Sequence, residues 1–336
     1  VLSASIIPVI VVFGPTATGK TDFLLNLSKV SDSGVYPEAL TTNLSSFHKF
    51  VPEIINSDSL QVYKYMDIGT AKPNAETLSK IKHHLIDFLN PNEEFNTANF
   101  VHEADKLCKE IFSRGKVPVI SGGNAFFLIN FIKGLPATPQ SNPKVREQVE
   151  AELKSKGIEQ LARKLEEIDP LYFSKICKND TYRIMRALEI YYSTGKRVSH
   201  YKIPDIPREC YDFLFIGLIR ERGELYERIN KRVDLMFENG LYNEFLKLRE
   251  MGYGANDPGM SAIGYKEFFE LEKNDGQELL NLDDIKELIK KNTRHYAKRQ
   301  ITFFKKIDNV VWENPDNSPA ILREVQQFLK KHGKEL

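Results

Sequence analysis

Eight consecutive residues, Gly14, Pro15, Thr16, Ala17, Thr18, Gly19, Lys20 and Thr21, read G-x-x-x-x-G-K-[ST]. That spacing suits a phosphate chain. Such a loop turns successive backbone N–H groups toward one point at the positive end of a helix. Lys20 adds a compact cation, and the hydroxyl of Thr21 suits a Mg²⁺ ion shared with phosphate, so Thr21 is the candidate metal ligand. A second chemical candidate is Asp58, which ends the short apolar run beginning at Pro52. In a doubly wound sheet the strand ends gather on one edge, so this carboxylate should face the phosphate loop. Two roles stay open for it: holding Mg²⁺ through water, or acting as general base for a nucleophile. A plain turn-capping aspartate is the competing reading.

Arginine pairs add a third signal. Arg228 and Arg232 lie four apart, and Arg183 and Arg186 three apart, so each pair shares a helix face. Paired guanidinium groups suit a pyrophosphate leaving group or an RNA backbone, although solvated helix charges would look the same. The last long helix is more pointed. Between Lys286 and Lys306, the cations Lys286, Lys290, Lys291, Arg294, Lys298, Arg299, Lys305 and Lys306 stand against Glu287 alone, with Tyr296, Phe303 and Phe304 interleaved. In a chain of net charge +1 this is a local basic stripe, an expected RNA footprint.

The elements that must position these groups follow from periodicity. The β-branched run from Val9 to Phe13 reads as a buried strand, and Phe23, Leu24 and Leu27 as a helix face, so the loop has the strand-loop-helix setting it needs. Further strands are expected near 52–57, 84–88, 117–121, 213–219 and 310–312. A helix is expected over 97–114, and another follows Gly122-Gly123 over 125–133. Aperiodic, polar chain from Ser59 to Pro73 directly after a strand is where α/β proteins carry working loops. From Pro143 to about Gly195 only helices can be read: 144–154, 158–167 and 181–194. Later helices are expected at 224–239, 241–251 and 284–305, then a terminal amphipathic one. The expected fold is α/β: a phosphate-loop parallel sheet core flanked by helices, with an inserted all-helical domain. Its divisions are residues 1–136 for the first part of the core, 137–207 for the insertion and 208–336 for the remaining core and basic helices. The polar stretch 31–49 reads as a surface insertion.

Composition narrows the class. The 336 residues are 28% charged and 41% apolar, as in an ordinary soluble protein. Cys108, Cys177 and Cys210 are far apart, which excludes a cysteine zinc knuckle and a disulfide framework and suits a reducing cytosol. No run approaches a membrane span, so no membrane partner is expected.

Seven segments together resemble the bacterial-type tRNA dimethylallyltransferases, also called tRNA isopentenyl-adenosine transferases. They are GPTATGKT (14–21), SDSLQVYKYMDIGTAKP (57–73), GKVPVISGGN (115–124), NDTYRIMRALE (179–189), LYERINKRVDLM (225–236), AIGYKE (262–267) and RHYAKRQITFF (294–304). The resemblance implies transfer of a five-carbon prenyl group from dimethylallyl diphosphate to the exocyclic amine of the adenosine immediately 3′ of the anticodon. It implies Asp58 as the base, and Thr16, Lys20 and Arg232 with Mg²⁺ on the diphosphate. It implies that Asp58, Ser59, Leu60 and Gln61, Asn124, Tyr182, Arg183 and Arg186, Ile263, Gly264, Tyr265 and Lys266, and Lys298, Arg299, Gln300 and Lys305 touch the tRNA. The adenine must leave its stack to react, and the helical insertion would lie along the anticodon stem. A cytoplasmic monomer is expected. Two departures stand out: the family's Gly-Gly-Thr with a tyrosine three residues later is Gly122-Gly123-Asn124 with Phe127 here. Alternatives are prenylation of free adenine nucleotides, phosphoryl transfer by a small-molecule kinase, and an RNA-binding module whose loop is only a switch.

Overall fold

The computed structural model describes residues 6–33, 52–202, 204–274 and 281–333; most of the polar insertion at 31–49 lies outside them. In chain order the core begins with β1 (Ile7–Phe13), α1 (Lys20–Ser33), β2 (Pro52–Asn56), α2 (Ala75–Lys80), β3 (His83–His84), α3 (Thr97–Ser113), β4 (Val117–Gly122) and α4 (Ala125–Lys133). The helical stretch follows with α5 (Pro143–Ile168), α6 (Pro170–Phe173) and α7 (Thr181–Thr194). The core then resumes with β5 (Tyr211–Leu218), α8 (Arg222–Glu238), α9 (Leu241–Glu250), α10 (Lys266–Asn274), α11 (Leu282–Phe304), β6 (Val310–Glu313) and α12 (Ser318–Lys331). Two compact units result: residues 1–131 with 208–336, and residues 132–207.

The first unit is built on a parallel sheet of order β3-β2-β4-β1-β5-β6. β1 is central, pairing Val11 with Ile120 on one side and with Phe215 on the other. All seven of its residues are buried, because helices cover both faces of a parallel sheet and its strands need be apolar throughout. On one face Ile10 and Val12 pack with Phe23 and Leu24 of α1 and with Ile321, Leu322 and Val325 of α12. α3 covers the other face, over β1, β2 and β4. At the end of β1, the ring of Phe13 meets Phe304 at 4.8 Å and Trp312 at 5.7 Å. That contact pins the last turn of α11 against the strand from which the phosphate loop springs.

The strand expected over 84–88 is only two residues long. Leu85 and Asp87 take positive φ (59° and 58°), which turns the chain out of the sheet. α2 and α10 were not legible from periodicity. At the start of β2 a buried carboxylate gathers cations: Glu53 accepts from Arg114 Nη2 and Lys116 Nζ at 2.7 Å and from His84 Nε2 at 2.8 Å, with Lys82 at 3.7 Å. Those partners hold its pKa down to about 2, below the ordinary 4.5, against the opposing effect of burial. The carboxylate therefore stabilises the fold fully above 4.5, and that contribution is lost as pH falls toward 2. Glu53→Gln removes the buried anion shared by the half-exposed Arg114 and Lys116, and a denaturant melt at neutral pH should show a loss of about 2 kcal/mol. An unchanged midpoint would contradict this account.

The second unit contains helices and no strand among its described residues. α5 is interrupted at Gly157, whose φ of 77° and ψ of 165° are not helical, so two helices meet there, as the sequence spacing suggests. Val149, Leu161, Leu165, Phe173, Ile184 and Leu188 form its core.

Candidate active site

The loop of residues 14–19 leaves β1 as a tight wrap. A Cβ on Gly14 would come within 2.5 Å of the Leu218 carbonyl oxygen on β5, so the neighbouring strand admits only glycine. Gly19 has φ +98°, a left-handed conformation that turns the chain into α1. Ala17 also has positive φ (65°), a strained conformation for alanine. Outside groups hold it there. Arg228 Nε donates to the Ala17 carbonyl at 2.9 Å, and Arg220 Nε donates to the Thr18 carbonyl at 2.9 Å. Gln300 of α11 clamps from above: its Oε1 accepts from Thr16 N–H at 2.9 Å while its Nε2 donates to the Gly123 carbonyl at 2.7 Å. Thr18 Oγ1 donates to the Pro15 carbonyl, closing the loop on itself.

Four reactive groups share one cavity of about 530 Å³. Thr16, Lys20, Asp58 and Arg232 all line it, with Thr21 and Asp22 at the start of α1. Lys20 Nζ donates to the Gly14 and Pro15 carbonyls at 2.9 and 3.0 Å. Arg232 Nη1 reaches Thr16 Oγ1 at 3.3 Å. Burial, with Arg232 nearby and Asp58 partly offsetting, lowers the Lys20 pKa to about 7. Arg232 is likewise lowered, by burial first and Arg228 second. Asp58 is raised by burial, against the N–H groups of Leu60 and Gln61 and the charges of Lys20 and Arg232. Its Oδ1 accepts from Leu60 N–H at 2.9 Å. A carboxylate raised toward working pH beside a cationic anion-cradle can take a proton while a negative group departs. Val233, Met236, Ile263 and Ile289 supply an apolar stretch of the same wall.

The remaining expected residues divide by position. Ser59, Leu60, Gln61, Ile263 and Gly264 line the cavity with Asp58. Two of the residues expected to touch RNA have their side-chain polar atoms engaged within the protein, although Gln300 also lines the cavity. Tyr265 is fully buried, its hydroxyl donating to Glu244 at 2.6 Å. Gln300 is buried too, its amide divided between Thr16 and Gly123 as above. Their polar atoms are spent inside the protein. Arg186 is also engaged within its own unit, donating to the Pro139 carbonyl at 2.6 Å and pairing with Glu189 at 2.9 Å. By contrast Tyr182 is 77% exposed on α7, beside the exposed Arg183, which pairs with Asp180. Asn124 caps α4: its Oδ1 accepts from Phe127 N–H at 3.1 Å, a task asparagine performs as well as threonine. Phe127 stacks on Phe100 at 4.7 Å inside the core.

The basic stripe is shorter than expected. Lys290 bridges Asp234 at 2.7 Å and Glu287 at 2.9 Å, Lys286 pairs with Asp283, and Arg294 donates to Asn230. In the first part of α11, Lys290 and Arg294 thus engage α8 and Lys286 pairs within its own helix, while Lys291 is exposed. Lys298, Arg299, Lys305 and Lys306 near its end are exposed, and Lys266 is half-exposed. Arg220 escaped the sequence reading, yet it sits just past the end of β5, a position from which the strand-edge rule could have flagged it. Its other contacts are Glu224 and Asp316, the latter at 2.8 Å.

No described helix is long and apolar enough to cross a membrane. Known proteins resemble the chain over nearly all its length. The IPP transferase family model matches residues 61–307. A tRNA dimethylallyltransferase of Acetivibrio thermocellus is 40% identical over 330 residues, covering 97% of this chain and 98% of its own. The crystal structure of full-length tRNA isopentenylpyrophosphate transferase from Bacillus halodurans superposes with a TM-score of 0.66 at 33% identity, covering 97% and 98% of the two chains. A eukaryotic dimethylallyltransferase, described acting on tRNA, gives 0.71 at 29% identity, covering 91% of this chain and 74% of that one. Matched by the family model over residues 61–307 and by these relatives over nearly its whole length, the chain belongs to the IPP transferase family.

Proposed function

We propose that this protein transfers the dimethylallyl group of dimethylallyl diphosphate to the exocyclic amine of the tRNA adenosine immediately 3′ of the anticodon. One observation carries the reading: an anion-gripping loop, a half-buried carboxylate and an apolar wall share a single cavity. The diphosphate rests on the N–H groups of the loop, beside Lys20, Arg232 and the Thr16 hydroxyl. The five-carbon tail lies along Val233, Met236, Ile263 and Ile289. The amine nitrogen bonds to the first carbon of the tail as that carbon's bond to diphosphate oxygen breaks. The electron pair leaves with the diphosphate, and the amine proton passes to Asp58. That amine is a weak nucleophile because its lone pair is delocalised into the ring, so proton removal during attack is where a base helps most. Cations beside the leaving group act where charge grows.

The exposed Thr21 hydroxyl and Asp22 carboxylate are oxygen donors at the cavity, a set that suits Mg²⁺, which takes one or two protein ligands plus phosphate oxygens. When bound there the ion would neutralise part of the diphosphate charge. A cytoplasmic location suits a tRNA substrate.

RNA engages the exposed basic end of α11 and, on the helical unit, Tyr182 and Arg183, with the anticodon stem-loop as the part recognised. Incubation with labelled dimethylallyl diphosphate and either an anticodon stem-loop or free AMP tests the assignment. Label should appear on the stem-loop; label on AMP alone would replace the reading with free-nucleotide prenylation. Lys298→Glu with Arg299→Glu should weaken stem-loop binding about tenfold or more at low salt and flatten its salt dependence by roughly one to two in log–log slope. Filter binding across a salt series checks this, and unchanged affinity at low salt would remove α11 from the RNA surface.

A further inference from the structure

A carboxylate outside the proposed chemistry holds together the wall on which Asp58 stands. Glu244 of α9 receives three consecutive backbone amides of the segment after Met66. Asp67 N–H and Ile68 N–H both donate to Oε2 at 2.9 Å, and Gly69 N–H donates to Oε1 at 3.0 Å. The buried Tyr265 hydroxyl donates to Oε1 at 2.6 Å. Four donors thus meet two oxygens, a concave nest of amides closed on an internal anion. The segment continues as Thr70 and Ala71, whose carbonyls both accept from Gln61 Nε2, at 3.3 and 3.2 Å. Lys72, almost wholly buried, ties the far end to the Tyr63 carbonyl, Asp67 and Asp87. Gln61 lies three residues past Asp58, and the N–H groups of Leu60 and Gln61 are the ones that hold the Asp58 carboxylate.

We infer that Glu244 is a positioning residue for Asp58, acting through residues 67–71 and Gln61 to keep two amides aimed at the base. The inference rests on the reading of Asp58 as base. The chain of contacts is continuous: carboxylate to amides 67–69, carbonyls 70 and 71 to the Gln61 side chain, Gln61 and Leu60 backbone to Asp58. An anion is required at its head. Both Glu244 oxygens already face N–H or O–H donors, so an amide side chain must point its own N–H₂ at a donor whichever way it is turned. Glutamine therefore releases at least one strand of the nest. The loosened segment lets Gln61 move, and the amides that favour the ionised form of Asp58 weaken.

The experiment compares wild type, Glu244→Gln and Tyr265→Phe in label transfer to an anticodon stem-loop across a pH series, with diphosphate binding and thermal melts in parallel. For Glu244→Gln the expected result is a turnover reduced by roughly tenfold or more. The acidic limb of its profile should move to higher pH, and its affinity for dimethylallyl diphosphate should stay at the wild-type value. Tyr265→Phe removes one donor and leaves the anion in place, so a smaller shift in the same direction is expected. A Glu244→Gln protein with a lower melting temperature but the wild-type acidic limb would reduce Glu244 to a stabilising contact and overturn the inference. Should Glu244→Gln not fold, Tyr265→Phe decides alone: a shifted limb supports the inference, an unmoved one overturns it. Wild-type protein that transfers no label would instead sink the functional reading itself, a result distinct from any variant-specific loss.

Discussion

Asp58→Asn should lower turnover by about 10²- to 10⁴-fold and leave dimethylallyl diphosphate binding largely in place. The substitution keeps size and shape, and an amide oxygen can still accept from Leu60 N–H, which now meets Asp58 Oδ1 at 2.9 Å. What disappears is the ability to take a proton. Burial raises the Asp58 pKa toward the pH at which the enzyme would work, which makes its carboxylate a stronger base than a surface aspartate. A secondary effect follows from the same geometry. The Asp58 charge raises the Lys20 pKa, so removing it leaves Lys20 losing its proton at still lower pH. Diphosphate binding in the variant should then weaken at a lower pH than in wild type. Single-turnover label transfer and equilibrium binding separate the two quantities. Turnover within tenfold of wild type would end the case for Asp58 as base.

Lys20→Met should reduce kcat/KM by about 10²- to 10³-fold, the cost of removing one electrostatic donor from a developing anion. Its pH signature is more telling than its size. In the free protein Lys20 has a pKa of about 7, set chiefly by burial and then by Arg232. An anionic substrate needs the protonated form, so diphosphate affinity should be flat below about pH 7 and fall above it. The Lys20→Met profile should lose that upper limb. Stability moves the opposite way. The unfolded chain keeps the lysine protonated up to its ordinary 10.5, while the folded one releases the proton near 7. Burying this cation therefore costs stability in full below about 7, and the cost fades as pH rises to 10.5. Lys20→Met should melt at a higher temperature than wild type at neutral pH, a gain in stability bound to a loss of function. A lower melting temperature together with an unchanged upper limb would contradict the assignment.

Much of the site is legible in the sequence. The spacing of Gly14, Gly19, Lys20 and Thr21 specifies a phosphate loop because only a few residue types tolerate that backbone and supply that charge. The apolar run of β1 and the strand that ends just before Asp58 place both groups on one edge of a parallel sheet, since parallel strands share a direction. The helix interruption at Gly157 could likewise be read locally. Such features depend on residues near one another in the chain, where conformational preference and periodicity act.

Only the tertiary structure decided which cations face solvent and which polar side chains are consumed inside. Lys290 looks identical in sequence to Lys298, yet Asp234 of another helix takes the first and leaves the second exposed. Gln300 and Tyr265 sit in segments that resemble RNA contacts, but burial commits their hydrogen bonds to Thr16, Gly123 and Glu244. Arg220 and Glu244 carry no motif, and their partners at positions 18 and 67–69 are well over a hundred residues away. The residue types and their order determined what chemistry this protein can attempt. Long-range packing determined which side chains remain free for it, because a buried polar group must be satisfied by whatever the fold brings within reach.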